Sequence, residues 1–275
     1  MKKFLIRTAS AIVFAAAVFG AFYLGKKASS LLFGAFMTII LCEYKNFSPF
    51  KNIGWLILYA FLGLLFYFVG VLGNTEPSGK QWAALIILFL TAFMMIFPRQ
   101  SMQLSPVVKK VAMFFYVTVP FIMFNTFFGF SERLFEGYTL LSAFLLPFIF
   151  IATIWIGDSF AYMIGSLTGK HKMAPKISPA KSWEGFFAGL FAVALAMVIF
   201  RAVFPVQSYF FWLLFGIIIY IFGTFGDLTE SKMKRQVEIK DSGRMMPGHG
   251  GAFDRFDSFL LAVPFVALLL RTFNI

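Results

Sequence analysis

A single cysteine, Cys42, stands among the 275 residues of this chain, so no disulfide closes within it and no cysteine-based zinc centre is available. Internal repeats, low-complexity tracts and any polar stretch long enough for a water-soluble domain are also lacking. Charge is scarce: 13% of the residues carry it and only 12 are acidic. The first half has no aspartate, because Asp158, Asp227, Asp241, Asp254 and Asp257 all lie beyond it. This shortage of acids leaves a formal net charge of +12. In a soluble protein such a balance suggests nucleic acid. No nucleic-acid partner is expected here, because lysine and arginine collect in the cytoplasmic loops of membrane proteins and orient their helices.

Apolar residues are abundant. They make up 60% of the chain, and phenylalanine alone accounts for 41 positions, well above the roughly 45–50% apolar share of soluble domains. The expected fold class is an all-α polytopic integral membrane protein embedded in the lipid bilayer. About 20 apolar residues span the hydrocarbon, and nine runs are read on that basis: 4–25, 28–42, 53–73, 82–97, 107–129, 138–156, 183–204, 209–225 and 253–270. The first run stays apolar past the length of a signal-peptide core, so it is read as a spanning helix. With the N-terminus in the cytoplasm, 18 of the 24 lysines and arginines fall inside and 6 outside, which obeys the positive-inside rule. The longest polar interruptions, 158–182 and 227–251, then both face the cytoplasm. Residues 1–137 read as scaffold helices and 138–275 as the catalytic region.

The second interruption and its flanks, residues 226–258, hold six of the 12 acidic residues. Ionisable groups beside a bilayer are expensive and usually mark a working site. Asp254 and Asp257, three apart at the start of the last helix, share a helical face. Asp227 ends the preceding run, so an antiparallel hairpin brings it level with them. Carboxylates that close require a cation, and a hard divalent ion such as Mg²⁺ suits oxygen-only ligands. The alternative is an ion-pair lattice with Arg255, Lys234 and Arg235. The turn at 247–251 carries Gly248, Gly250 and Gly251, so its backbone N–H groups and the following helix N-terminus offer a place for a phosphate. His249 is either a donor to that phosphate or a solvated imidazole. In the first interruption, Asp158 and Glu184 flank Lys170, Lys172, Lys176 and Lys181, and Ser182 is placed to cap the seventh span.

Taken together, these motifs resemble a known family. Ser231, Met233, Lys234 and Arg235, then Lys240, Asp241 and Gly243, then Pro247 through Gly251, Asp254, Arg255 and Asp257 resemble the signature of phosphatidate cytidylyltransferases (CDP-diacylglycerol synthases). Gly226, Asp227, Leu228 and Glu230 agree, as do Gly157-Asp158, Gly169-Lys170-His171, Ser178-Pro179 and Lys181 through Gly185 upstream. Ala252, Met246, Ser166 and Ala180 depart from the usual residues. The resemblance implies that CMP passes from CTP to phosphatidate, giving CDP-diacylglycerol and pyrophosphate at the cytoplasmic (inner) membrane. It implies Mg²⁺ on Asp227, Asp254 and Asp257, with room for a second, monovalent cation such as K⁺. It also implies catalytic roles for Lys234, Arg235 and Asp241. Substrate binding would fall to Ser178, Lys181, Glu184, Lys240, Gly248, His249, Gly250, Gly251 and Arg255. A homodimer is compatible with it. Two rivals remain: a CTP-dependent lipid-alcohol kinase, and a secondary transporter, against which no inverted halves are apparent.

Overall fold

The computed structural model describes residues 2–48, 50, 52–72, 79–96, 105–138, 142–246 and 250–273. Its helices are α1 (Lys2–Tyr23), α2 (Lys26–Glu43), α3 (Ile53–Leu72), α4 (Gly79–Ile96), α5 (Pro106–Asn125), α6 (Phe127–Leu134), α7 (Leu145–Thr168), α8 (Trp183–Val203), α9 (Tyr209–Gln236) and α10 (Phe253–Thr272). A short 3-10 turn, Tyr44–Asn46, follows α2, and the strands among the described residues are β1 (Lys172–Ala174) and β2 (Ser178–Ser182), an antiparallel pair. Seven of the described helical segments are long and apolar enough to cross a membrane. This is an all-α polytopic membrane protein. Its outer surfaces carry apolar side chains that water would not support, among them Trp55, Phe61, Leu65, Ile87, Phe191 and Ile199.

Most described residues of the expected apolar runs lie on helices, though 107–129 is divided between α5 and α6 and 138–156 becomes helical only at Leu145; two helices continue far past the hydrophobic stretch. Helix α7 extends through Asp158 to Thr168 and stops at Gly169, and α9 extends through Asp227 to Gln236. Hydropathy tracks immersion in lipid, whereas a helix ends where a breaker appears, and neither Gly157-Asp158 nor Gly226-Asp227 breaks these two. At 1.5 Å per residue, the 28 residues of α9 reach about 42 Å, against about 30 Å of hydrocarbon. The helix is therefore longer than the hydrocarbon layer is thick.

The chain forms two compact units. One contains residues 1–126 and 237–256, the other 127–236 and 257–275. In the first, phenylalanines pack α1, α2, α5 and the start of α10. Phe33 stacks on Phe124 at 4.9 Å between ring centroids, and Phe256 packs edge-on or tilted against Phe33, Phe36 and Phe121. Buried polar groups there are satisfied: Ser30 Oγ donates to Asn125 Oδ1, and Asn125 Nδ2 donates to the Tyr67 hydroxyl.

The second unit is built on α7, α8 and α9, and small residues bring them together, as expected where lipid offers no hydrophobic contrast. Gly157 on α7 and Gly189 on α8 form a notch for the Tyr220 ring, since a Cβ at either would overlap it. The Tyr220 hydroxyl donates to the Phe186 carbonyl at 2.9 Å. Ser182 caps α8 as expected, its Oγ accepting from the Gly185 N–H at 3.2 Å.

Candidate active site

In the second unit, three carboxylates converge. One ligand oxygen from each of Asp227, Glu230 and Asp257 lies within 4.8 Å of the others. Two of them follow from helical spacing: Asp227 and Glu230 are i and i+3 on α9, with Ser231 and Lys234 on the same face. The third arrives because α9 is notched by glycine. A Cβ at Gly226 would overlap the backbone of Asp257, and one at Gly223 would lie 3.4 Å from Ser258 Cβ. The backbone of α10 therefore runs directly against α9, and Asp257 is delivered to its acidic face. The Asp257 Oδ1 accepts from the Ser258 N–H at 2.6 Å.

Two lysines neutralise part of this charge. Lys181, on β2, places Nζ 2.6 Å from Asp227 Oδ2, and Lys234 places Nζ 2.5 Å from Glu230 Oε2. The first pair is partly exposed, at 24% and 31% of the side chain, whereas the second is nearly dry, at 12% and 1%. The cluster thus has a wet end at Asp227 and a dry end at Glu230. Asp227 and Glu230 each meet a lysine, while Asp257 accepts from a backbone N–H. A set of hard oxygen donors of this kind fits a divalent cation of the Mg²⁺ type. The ion-pair alternative read from the sequence involved Arg255, Lys234 and Arg235; of these, Lys234 does pair with a carboxylate of the cluster, and Lys181 joins it.

Around this cluster the hairpin is held in place from below. Arg235 Nε donates to the Ile177 carbonyl at 3.2 Å, tying the end of α9 to the loop before β2. Glu184 accepts from the His171 N–H and meets its Nδ1 at 2.6 Å, so it organises the start of the hairpin. Ser178 pairs with Ala174 in the ladder.

The remaining expected residues belong to the first unit. Lys240, Asp241 and Arg255 are exposed. Asp254 Oδ2 accepts from the Gly251 N–H at 2.7 Å, the Ser242 N–H at 2.9 Å and the Ser242 hydroxyl at 3.0 Å. Gly250 adopts a φ of 83°, and a Cβ there would collide with Asp254. Gly248 and His249 lie outside the described residues. The N-terminus of α10, read from the sequence as a seat for phosphate, already receives a carboxylate. Glu43 Oε1 accepts from the Ala252 N–H at 2.9 Å and Glu43 Oε2 from the Phe253 N–H at 3.0 Å. The glycines of this turn thus make room for internal carboxylates.

The sequence assigns no role to Glu230, Glu43 or Ser242 of these networks. Glu230 was legible only if α9 continued as a helix beyond Asp227, which the i, i+3 spacing would then have exposed. Glu43 sits in the scaffold half, with no acidic neighbour in sequence to flag it.

Residues 5–273 match the profile of the cytidylyltransferase family. Among individual proteins, the chain is 45% identical over 132 residues to the phosphatidate cytidylyltransferase of Bacillus subtilis (strain 168), covering 47% of this chain and 49% of that protein. It is 45% identical over 150 residues to the phosphatidate cytidylyltransferase of Staphylococcus aureus (strain COL), covering 52% and 54%. For the protein of that name in Staphylococcus epidermidis (strain ATCC 12228) the identity is 44% over 118 residues, covering 42% and 45%. The match therefore spans about half the length of these relatives.

Proposed function

The chain belongs to the cytidylyltransferase family, and we propose that it transfers CMP from CTP to phosphatidate, producing CDP-diacylglycerol and pyrophosphate. The observation that carries this reading is the convergence of Asp227, Glu230 and Asp257, with Lys181 and Lys234 paired to two of them. Asp227 and Glu230 follow directly on the apolar stretch of α9, which suits a reaction between a water-borne nucleotide and a membrane lipid.

The chemistry asks little of proton transfer. A phosphate monoester is already anionic at neutral pH, so its oxygen attacks the α-phosphorus of CTP without a strong general base. One P–O bond forms, and the bond from the α-phosphorus to the bridging oxygen breaks with its electron pair leaving on pyrophosphate. Positioning and charge neutralisation supply most of the catalysis in such transfers. Asp227, Glu230 and Asp257 would hold a divalent cation, which would supply Lewis-acid polarisation of a phosphoryl oxygen. Lys181, at the wet end, is free to exchange Asp227 for an incoming phosphate oxygen at little cost. Lys234 holds Glu230 in place. Lys240, Arg235 and Arg255 add positive charge for the triphosphate or the lipid phosphate. Asp254 shapes the glycine turn, and Asp241 belongs to the same segment. The lysine and arginine distribution supports nine crossings with the N-terminus and this site on the cytoplasmic side of the inner membrane.

The test is label transfer with purified full-length protein, CTP and phosphatidate. Label at the α-phosphate of CTP should enter the lipid, and label at the γ-phosphate should leave as pyrophosphate. Entry of γ-label into the lipid would make the protein a kinase and refute the reading.

A further inference from the structure

Glu43 lies outside every motif that points to the reaction, yet it is 7% exposed and makes three hydrogen bonds to one short segment. Its carboxylate takes the N–H groups of Ala252 and Phe253, which the first turn of α10 leaves without intrahelical partners. It also accepts the Ser242 hydroxyl at 3.1 Å. That hydroxyl has one proton and two carboxylate acceptors, Glu43 and Asp254, so it bonds one of them at a time and links both.

The grip extends past α2. Asn46 Nδ2, in the 3-10 turn, donates to the Ser242 carbonyl at 2.6 Å, and Phe47 packs edge-on against Phe253 at 5.6 Å. Two glycines are shaped to Glu43 itself. A Cβ at Gly251 would stand 2.6 Å from its Oε1, and a Cβ at Gly243 would stand 2.9 Å from its Cγ. No ordinary carbon contact is that short, so glycine at these two positions is what lets the carboxylate enter.

We propose that Glu43 is a positioning residue for nucleotide binding: a scaffold carboxylate that fixes residues 240–246 and 250–255 and so sets where the cationic side chains Lys240 and Arg255 meet substrate. The proposal rests on the functional reading above, since the segment matters to turnover only if it binds nucleotide. It predicts that loosening Glu43 weakens CTP binding without slowing the chemical step at the carboxylate cluster.

Glu43→Gln keeps size but turns one acceptor oxygen into an N–H donor facing N–H donors. In full-length protein in lipid nanodiscs, hydrogen–deuterium exchange should accelerate in peptides covering residues 242–256 and stay unchanged in peptides from α7. In steady-state assays the KM for CTP should rise about tenfold with kcat within about twofold of wild type. Should Glu43→Gln fail to fold, Ser242→Ala, which removes only the shared hydroxyl, should shift both readouts in the same direction by a smaller factor. Unchanged exchange in 242–256, or a loss confined to kcat in proportion to inactive protein, would overturn the proposal. If the wild-type protein fails to turn over CTP with phosphatidate, the functional reading falls, and the exchange result alone decides whether Glu43 clamps the segment.

Discussion

Lys181 meets Asp227 at 2.6 Å with both side chains partly open to solvent, and this makes the pair a discriminating target. A partly exposed ion pair contributes only about 0.2–1 kcal/mol to stability. Removing a donor that meets charge developing in a transition state costs about 2.7–4 kcal/mol, or a factor of about 10²–10³ in rate. Lys181→Ala therefore separates two roles by magnitude. If the lysine only orients the chain in the membrane or ties β2 to α9, thermal stability and turnover should both change slightly. If it meets a substrate phosphate, the melting temperature should stay near wild type while kcat/KM falls by about two to three orders of magnitude. Both quantities are measurable on one detergent-purified preparation, by a thermal melt and by pyrophosphate release from CTP and phosphatidate. A fall in kcat/KM smaller than about threefold, less than 1 kcal/mol of transition-state stabilisation, would refute a substrate role for Lys181.

Asp227→Asn should abolish turnover while leaving a protein that inserts and purifies, because its partners are a partly exposed lysine and the Ser231 hydroxyl. Asp254→Asn should lose both activity and melting temperature, since three donors converge on its Oδ2 and hydrogen bonds to a charged group contribute about 1.5–3 kcal/mol each; equal melting temperatures for the two variants would contradict this division. Glu230→Gln leaves the nearly buried Lys234 ammonium without its carboxylate, and breaking a buried pair from one side costs about 3–5 kcal/mol, so this variant should melt lower and fail to turn over. Gly189→Ala drives a methyl into Tyr220; overpacking costs about 1–3 kcal/mol, visible as a lower melting temperature with the KM for CTP unchanged.

Much of the architecture was legible in the sequence because membrane immersion writes itself into hydropathy. The apolar runs coincide with helices over most of their described length, and the loop that ends at Ser182 caps α8 as its chemistry demands. What hydropathy does not record is where a helix continues in water. Helices α7 and α9 both proceed past their first aspartate, and that continuation gives Glu230 its place beside Asp227. The pairing of Asp227 and Asp257 was readable from two charged helix ends, though the reason they meet, the glycine edge at Gly223 and Gly226, is a packing fact. The glycine turn was read as a cradle for an external anion. The groups seen at Gly250, Gly251 and the start of α10 belong to the protein: Glu43, 209 residues before Ala252 in sequence, and Asp254. Long-range partners of that kind leave no local pattern.

Manganese binding, followed by electron paramagnetic resonance on the purified protein, bears most directly on the carboxylate cluster. The wild-type chain should bind one Mn²⁺ that Mg²⁺ displaces, and Asp227→Asn, Glu230→Gln and Asp257→Asn should each weaken that site, with turnover falling in step. Undiminished Mn²⁺ binding in all three variants, or full turnover in the presence of a chelator, would contradict the assignment of these three side chains as the seat of the reaction.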